Sequence, residues 1–216
     1  MFVIDRMTRN PISISPDDNV DAAQNLLKKH KIRRLPVIER GKLVGIVTDK
    51  DLMRVSPSAA TTLSKYEVNA LLAKISIREI MSDKVIAVNE HAPIEEAALL
   101  MSMNKIGGLP VTSDVGTVVG VITETDIFNA LVEIMGLASG KNRITIEVDN
   151  KVGVVQDIAG IFAGAGFNID SFVTCKKDMG KYDIIIRGDF MNIDPLIQSL
   201  ESRGYHVTHS DHIGSK

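Results

Sequence analysis

Two short motifs have residue types and spacing suited to chemistry, Thr48-Asp49-Lys50-Asp51 and Thr123-Glu124-Thr125-Asp126. Both read Thr-x-x-Asp, a spacing at which threonine caps a helix while the acid reaches back to the cap amide. Upstream of the first runs Lys28-Lys29-His30-Lys31-Ile32-Arg33-Arg34. A helix C-terminus favours cations, which accounts for Lys28, Lys29 and Lys31. It accounts less well for Arg33 and Arg34, which directly precede the apolar run Leu35-Pro36-Val37. Arginine's planar fork binds phosphate bidentately, so this pair points to an anionic ligand. His206, His209, Asp211 and His212 are metal-ligating types. Strand alternation places His206 and His209 on opposite faces, so no metal site is expected there. Phosphate-loop and dinucleotide fingerprints are missing, and Gly164-Ala165-Gly166 ends a helix instead of opening one. Cys175 has no marked base beside it, and no Ser/His/Asp arrangement stands out. Catalysis is not expected.

The elements that would position the first motifs come twice. Met7 to Val37 superimposes on Met81 to Val111 at an offset of 74 residues, and Leu35-Pro36-Val37 recurs as Leu109-Pro110-Val111. One extra residue near Val115 shifts the offset to 75, which aligns Gly45–Asp51 with Gly120–Asp126. Each copy predicts a short strand (Ile12–Ser15, Val85–Val88) and then a helix. In the second copy that helix is marked by Ile94, Ala97, Ala98 and Met101 at one-face spacing. The Leu-Pro-Val strand follows, with a hairpin through Gly41 or Gly116. The next strand, Leu43–Val47 or Val118–Ile122, is apolar almost throughout, which predicts burial on both faces. A short helix near Asp51 or Asp126 closes the unit. A copy of about 50 residues is marginal alone, so two are expected to share a core. The expected divisions are 1–55, a linker helix within 56–75 marked by Leu63, Val68, Leu71 and Leu72, and 76–136.

From Lys141 the pattern changes. Ile144, Ile146 and Val148 alternate with Arg143, Thr145 and Glu147, as in a half-buried strand. Val155, Ile158, Ala159 and Phe162 mark a helix stopped at Gly164–Gly166. Asn168–Thr174 and Lys181–Arg187 predict two strands, Ile193–Arg203 a helix with Pro195 near its start, and Tyr205–His209 a last strand. The order βαββαβ is the ferredoxin-like pattern, expected over 141–210. Gly136–Gly140 is the expected hinge.

The 216 residues carry a net charge of −2, are 44% hydrophobic and only 4% aromatic. This balance argues against disorder, nucleic acid and anionic membrane as partners. One cysteine permits no internal disulfide and no thiolate metal cage. No apolar run approaches a membrane span, and charges in Met1–Arg6 stand where a signal peptide is apolar, so a cytoplasmic location is expected.

The leading Met, the Leu-Pro-Val strand and the closing Gly-x-x-Thr-x-x-Asp make each repeat resemble a CBS domain. The Asp149-Asn150-x-x-Gly153 loop and Gly166-Phe167-Asn168-Ile169 make the tail resemble an ACT domain. The order is similar to that of acetoin-utilisation-type CBS–ACT regulatory proteins. The resemblance implies an α+β fold, with two CBS repeats packed as a CBS pair (Bateman module) and a C-terminal ferredoxin-like ACT domain. It implies a regulatory ligand-sensing protein that binds AMP, ADP or ATP between the repeats. By matching positions, Ile12, Arg33, Arg34, Val121, Thr123, Thr125 and Asp126 would form the main site, with Asp126 on the ribose diol. A carboxylate offers two acceptors to those two hydroxyls. Ile46, Thr48, Lys50, Asp51, Ile86, Gly107 and Gly108 would form a weaker second site. That site has glycines where the first has arginines, so Lys50 is its obvious cation and S-adenosylmethionine is a further candidate ligand. Asp49, Asp51, Glu124 and Asp126 could hold Mg²⁺ with nucleotide phosphates. Asn150, Gly153 and Asn168 would hold an amino-acid effector between two subunits of a homodimer, or serve as plain turn residues. The alternative is a ligand-free interaction scaffold for a partner enzyme.

Overall fold

The computed structural model describes residues 1–57, 62, 64–137 and 142–212. Leu63, Lys141 and most of the expected hinge, residues 138–140, lie outside them. The chain divides into two compact units, Met1–Ile127 and Phe128–Lys216.

In the first unit, β1 (Thr8–Arg9) precedes α1 (Val20–His30), β2 (Arg34–Glu39), β3 (Lys42–Thr48) and α2 (Asp49–Val55). The Asn19 side chain caps α1 by accepting from Ala22 N at 2.9 Å. Val20, Ala23 and Leu27 face the core, and the helix stops at Lys31 in the left-handed region (φ 54). Arg40 and Gly41, both at positive φ, make the two-residue turn of the β2–β3 hairpin. After α3 (Lys65–Leu72) and the short α4 (Ile77–Ile80), the pattern returns as β4 (Val88–Asn89), α5 (Ile94–Asn104), β5 (Gly108–Thr112), β6 (Val118–Thr123) and α6 (Glu124–Ile134). Ile94, Ala97 and Met101 are the buried stripe of α5, and Lys105 repeats the left-handed stop (φ 54).

The segment ahead of each repeat packs onto the other repeat. β1 pairs antiparallel with β6, giving the sheet order β1-β6-β5-β4, and Val3 N donates to Ala92 O. Reciprocally, Ile46 bridges Ser82, and Ile77 N donates to Asp18 O. Two methionines lock the exchange. A Cβ on Gly120 would lie 2.4 Å from Met7 Sδ, and one on Gly45 would lie 2.5 Å from Met81 Sδ. The leading Met of one repeat therefore fills the space that the glycine of the other leaves open.

Three expectations about this unit need correction. The strand at Ile12–Ser15 shrinks to one bridge, Ile14 to Val37, because Pro11 and Pro16 flank it and lack amide donors. β3 and β6 are fully buried on one face only: Val47 and Ile122 are buried, while Ile46 and Val121 are half-buried and border cavities. The closing helices begin at Asp49 and Glu124, two residues before the aspartates.

The second unit holds β7 (Asn142–Asp149), α7 (Val154–Gly164), β8 (Ser171–Lys176), β9 (Lys181–Gly188), α8 (Asp194–Ser202) and β10 (His206–His212). Its antiparallel sheet has the order β10-β7-β9-β8. Ile144, Ile146, Ile184 and Ile186 meet Ile158, Ile161 and Phe162 of α7 and Leu196 and Leu200 of α8. The stripe of α7 is therefore Val154, Ile158, Ile161 and Phe162, whereas Val155, assigned to it above, is exposed. Gly166 (φ 77) ends this segment, as the glycine run implied. β8 starts at Ser171, after Asn168. A bulge between Val207 and His209 sets His206 opposite Glu147 and His209 opposite Thr145, so both histidines share one face, contrary to simple alternation.

Gly120→Ala is expected to lower stability by about 1–3 kcal/mol through overpacking against Met7. Adding Met7→Ala should recover part of that loss. Urea midpoints of the two single variants and the double variant, treated as a cycle, measure this coupling.

Candidate functional site

Two cavities lie in the first unit, and their walls are repeat-equivalent. The first, of about 460 Å³, is lined by Ile12, Arg33, Arg34, Val121, Thr123 and Thr125. Asn10, Pro11, Lys31 and Glu124 also line it. Six of the seven expected residues thus converge, and Asp126 is not among the lining residues. The second, of about 470 Å³, is lined by all seven expected residues: Ile46, Thr48, Lys50, Asp51, Ile86, Gly107 and Gly108. Lys84 and Lys105 had been overlooked there. The 74-residue offset could have found them, since they answer Asn10 and Lys31 of the first cavity.

Backbone bonds hold the basic pair against the opening of α2, and the equivalent glycine pair against that of α6. Asp49 N donates to Arg33 O at 3.0 Å, and Glu124 N donates to the equivalent Gly107 O at 3.3 Å. Thr48 and Asp51 form a capping box, and Asp126 makes the acid's half of the same arrangement with Thr123. Asp51 Oδ2 accepts from Thr48 N (2.9 Å) and Thr48 Oγ1 (2.6 Å). Asp126 Oδ2 accepts from Thr123 N (2.8 Å) and Thr123 Oγ1 (2.7 Å). One oxygen of each aspartate is thereby committed, and Oδ1 of Asp51 in turn pairs with Arg54 Nη1 at 3.7 Å.

The second cavity is not free of arginine. Arg33 and Arg34 line both cavities, as do Gly107 and Glu124. The glycines are the cause. A Cβ on Gly108 would sit 2.5 Å from Arg34 Nη1, and one on Gly107 would sit 2.9 Å from Glu124 Oε2 and 3.2 Å from Arg34 Nη2. The guanidinium lies over bare backbone between the cavities. Burial pushes Arg34 below its ordinary pKa, while the charges of Glu124 and Asp49 pull it back up. It remains a cation, partly stripped of water, and such a group gains from meeting an anion. Neither cavity has a His or Cys in its lining.

In the second unit, Asn150 borders a cavity of about 140 Å³ with Val155, Thr174 and Tyr182. Gly153 takes φ 94 at the cap of α7. Asn168 is elsewhere: its carbonyl lies near Gly188, at the end of β9 opposite Lys181, which pairs with Asp149. The expected effector residues do not meet within one chain. Among the described residues, no three His, Cys, Asp or Glu side chains gather as a metal site.

A paired β–α–β–β–α repeat with a cleft on each side of its shared wall defines a class of ligand-binding pair. The chain belongs to the CBS domain family, whose pattern matches residues 3–58 and 77–133, and an AHAS small subunit-like ACT domain matches residues 144–188. It is 30% identical over 130 residues to a CBS domain-containing protein of Dictyostelium discoideum, covering 60% of this chain and 90% of that protein. It is 35% identical over 127 residues to L-aspartate semialdehyde sulfurtransferase of Methanocaldococcus jannaschii, covering 58% of this chain but spanning only 22% of that enzyme. Among solved structures it resembles a Vibrio cholerae protein described as an acetoin utilization protein, AcuB. That likeness has 28% identity, TM-score 0.52 and coverage of 64% of this chain and 96% of the other. The CBS pair of protein MJ0100, in complex with 5′-methylthioadenosine and S-adenosyl-L-methionine, is 31% identical (TM-score 0.51, 62% and 97% covered). CBSX2 of Arabidopsis thaliana, in complex with AMP, is 29% identical (TM-score 0.51, 62% and 97% covered). No helix among the described residues is long and apolar enough to cross a membrane.

Two outcomes follow from this geometry. Thr48→Ala should cost about 1 kcal/mol of stability by removing the side-chain cap of α2, read from urea unfolding without ligand. Lys177 and Lys181 hydrogen-bond Glu147 and hold its carboxyl well below the ordinary 4.5, at about 2. Its ion pairing should therefore be fully present above about pH 4.5 and lost as pH falls through about 2. A carboxyl ¹³C titration should place the midpoint near 2, moving upward in Lys177→Ala.

Proposed function

We propose that this protein is a ligand-sensing regulatory module that binds an adenine nucleotide in the first cleft between its repeats. The observation that carries this is the composition of that cleft. Ile12 and Val121 offer apolar walls to a base, Thr123 and Thr125 offer hydroxyls, and Arg33 and Arg34 offer two forks to phosphate. Its volume of about 460 Å³ suits a nucleotide-sized ligand. The AMP bound by CBSX2 and the adenosyl ligands bound by the MJ0100 pair support the same chemical class. Asp126 would reach a ribose only with the oxygen its cap leaves over. The domain divisions at residues 55, 75 and 136 belong to this reading, with the linker at 56–75 joining the two halves of the nucleotide site. Mg²⁺ would arrive on the phosphates of a di- or triphosphate.

In this reading the ACT domain pairs two copies. Asn150 and Gly153 of one copy, set against Asn168 of the other, would then hold an amino acid. A ligand that touches both repeats biases their arrangement only if it binds one arrangement better than another.

Calorimetric titration with AMP, ATP and S-adenosylmethionine tests the site. AMP binding that is weakened about 10-fold or more in Arg33→Ala, with the unfolding midpoint unchanged, is the expected result. At 100 times its dissociation constant AMP should add about 2.7 kcal/mol, seen as roughly 5–10 °C of thermal shift. A flat response to all three ligands would overturn the reading in favour of a ligand-free scaffold for a partner enzyme.

A further inference from the structure

We infer that Arg34, seated over Gly107 and Gly108, is one phosphate-binding cation shared by both clefts, so that an anionic ligand in either cleft weakens anion binding in the other. The inference rests on the nucleotide reading and adds to it a dependence between the sites.

Exact duplication would give each cleft its own arginine pair, but positions 33 and 34 are answered by Gly107 and Gly108. At Gly108 the absent Cβ is replaced by the guanidinium itself, 2.5 Å from Nη1 and 2.8 Å from Cζ. At Gly107 the space is divided between Arg34 Nη2 and Glu124 Oε2. A side chain at either glycine would displace this cation from its seat on the backbone. With glycine at both places, Arg34 borders both clefts. A guanidinium carries one charge, and its donors lie in a single plane. Once a phosphate in one cleft has drawn it in, a second phosphate meets a neutralised pair with Glu124 beside it. A shared group of this kind gives a coupling free energy between sites, and that coupling is reciprocal.

The test is calorimetric titration of the full chain with AMP at low salt. Val121→Trp fills the first cleft and Ile86→Trp the second, with Ile12→Trp in place of Val121→Trp should the latter fail to fold. Sharing predicts that both single-cleft variants bind AMP about 10-fold or more tighter than the second step of the wild-type chain. The gain should disappear when Arg34→Gln is added. If the two clefts are independent, the weaker single-cleft variant reproduces the wild-type second step, and that result would overturn the coupling alone. A gain that survives Arg34→Gln would assign the effect to Arg33, which also borders both clefts, or to direct repulsion between ligands, and a second cleft still empty with the first filled would show no shared cation; each sinks the inference. Failure of the wild-type chain to bind AMP at all would overturn the nucleotide reading along with it.

Discussion

The contact between each leading methionine and a glycine of the opposite repeat is the constraint on which the first unit depends. A thioether within 2.5 Å of where a Cβ would stand can exist only if that Cβ is missing, at both Gly45 and Gly120. The same contact seats β1 beside β6 and Ser82 beside Ile46. Neither repeat completes its sheet with its own preceding segment. Each of roughly 50 residues would be marginal alone, and the exchange makes the stability of one conditional on the other. The clefts lie along this exchange: Thr8 lines the first cavity and Ser82 the second. Packing and the cavity walls therefore draw on one set of strands.

Much of this was legible because duplication leaves a record in sequence. The offset aligned the Thr-x-x-Asp motifs, the Leu-Pro-Val strands and the walls of both clefts. The partner of each motif across the cleft is a different matter. Nothing in the spacing of Met7 says that it packs on Gly120, since the exchange is a long-range choice between copies that look alike. Arg34 shows the same limit. Gly107 and Gly108 read as missing cations when aligned with Arg33 and Arg34, whereas in space they leave room for Arg34 beside the second cavity.

In the tail, the βαββαβ order followed from alternation and glycine stops, and the sheet order β10-β7-β9-β8 is the arrangement that such an order permits. The errors lie where one residue changes register. The stripe of α7 begins at Val154 and not Val155, because Gly153 in the left-handed region sets the helix start. A single bulge in β10 turns His206 and His209 to one face, where a period of two had separated them. Such insertions leave no signal in hydrophobic pattern, since they cost only one unpaired residue.

Capping takes up one oxygen of each motif carboxylate, and only Asp51 of the two also lines a cavity. Asp51 and Asp126 each hold the first turn of a closing helix through Oδ2. α6 runs from Glu124 to Ile134, across the division between the two units at Ile127 and Phe128. The element whose first residue lines both clefts is thus the one by which the chain leaves the repeats. Glu124, beside Arg34, stands at the N-terminus of that helix, where the macrodipole makes it most sensitive to charge.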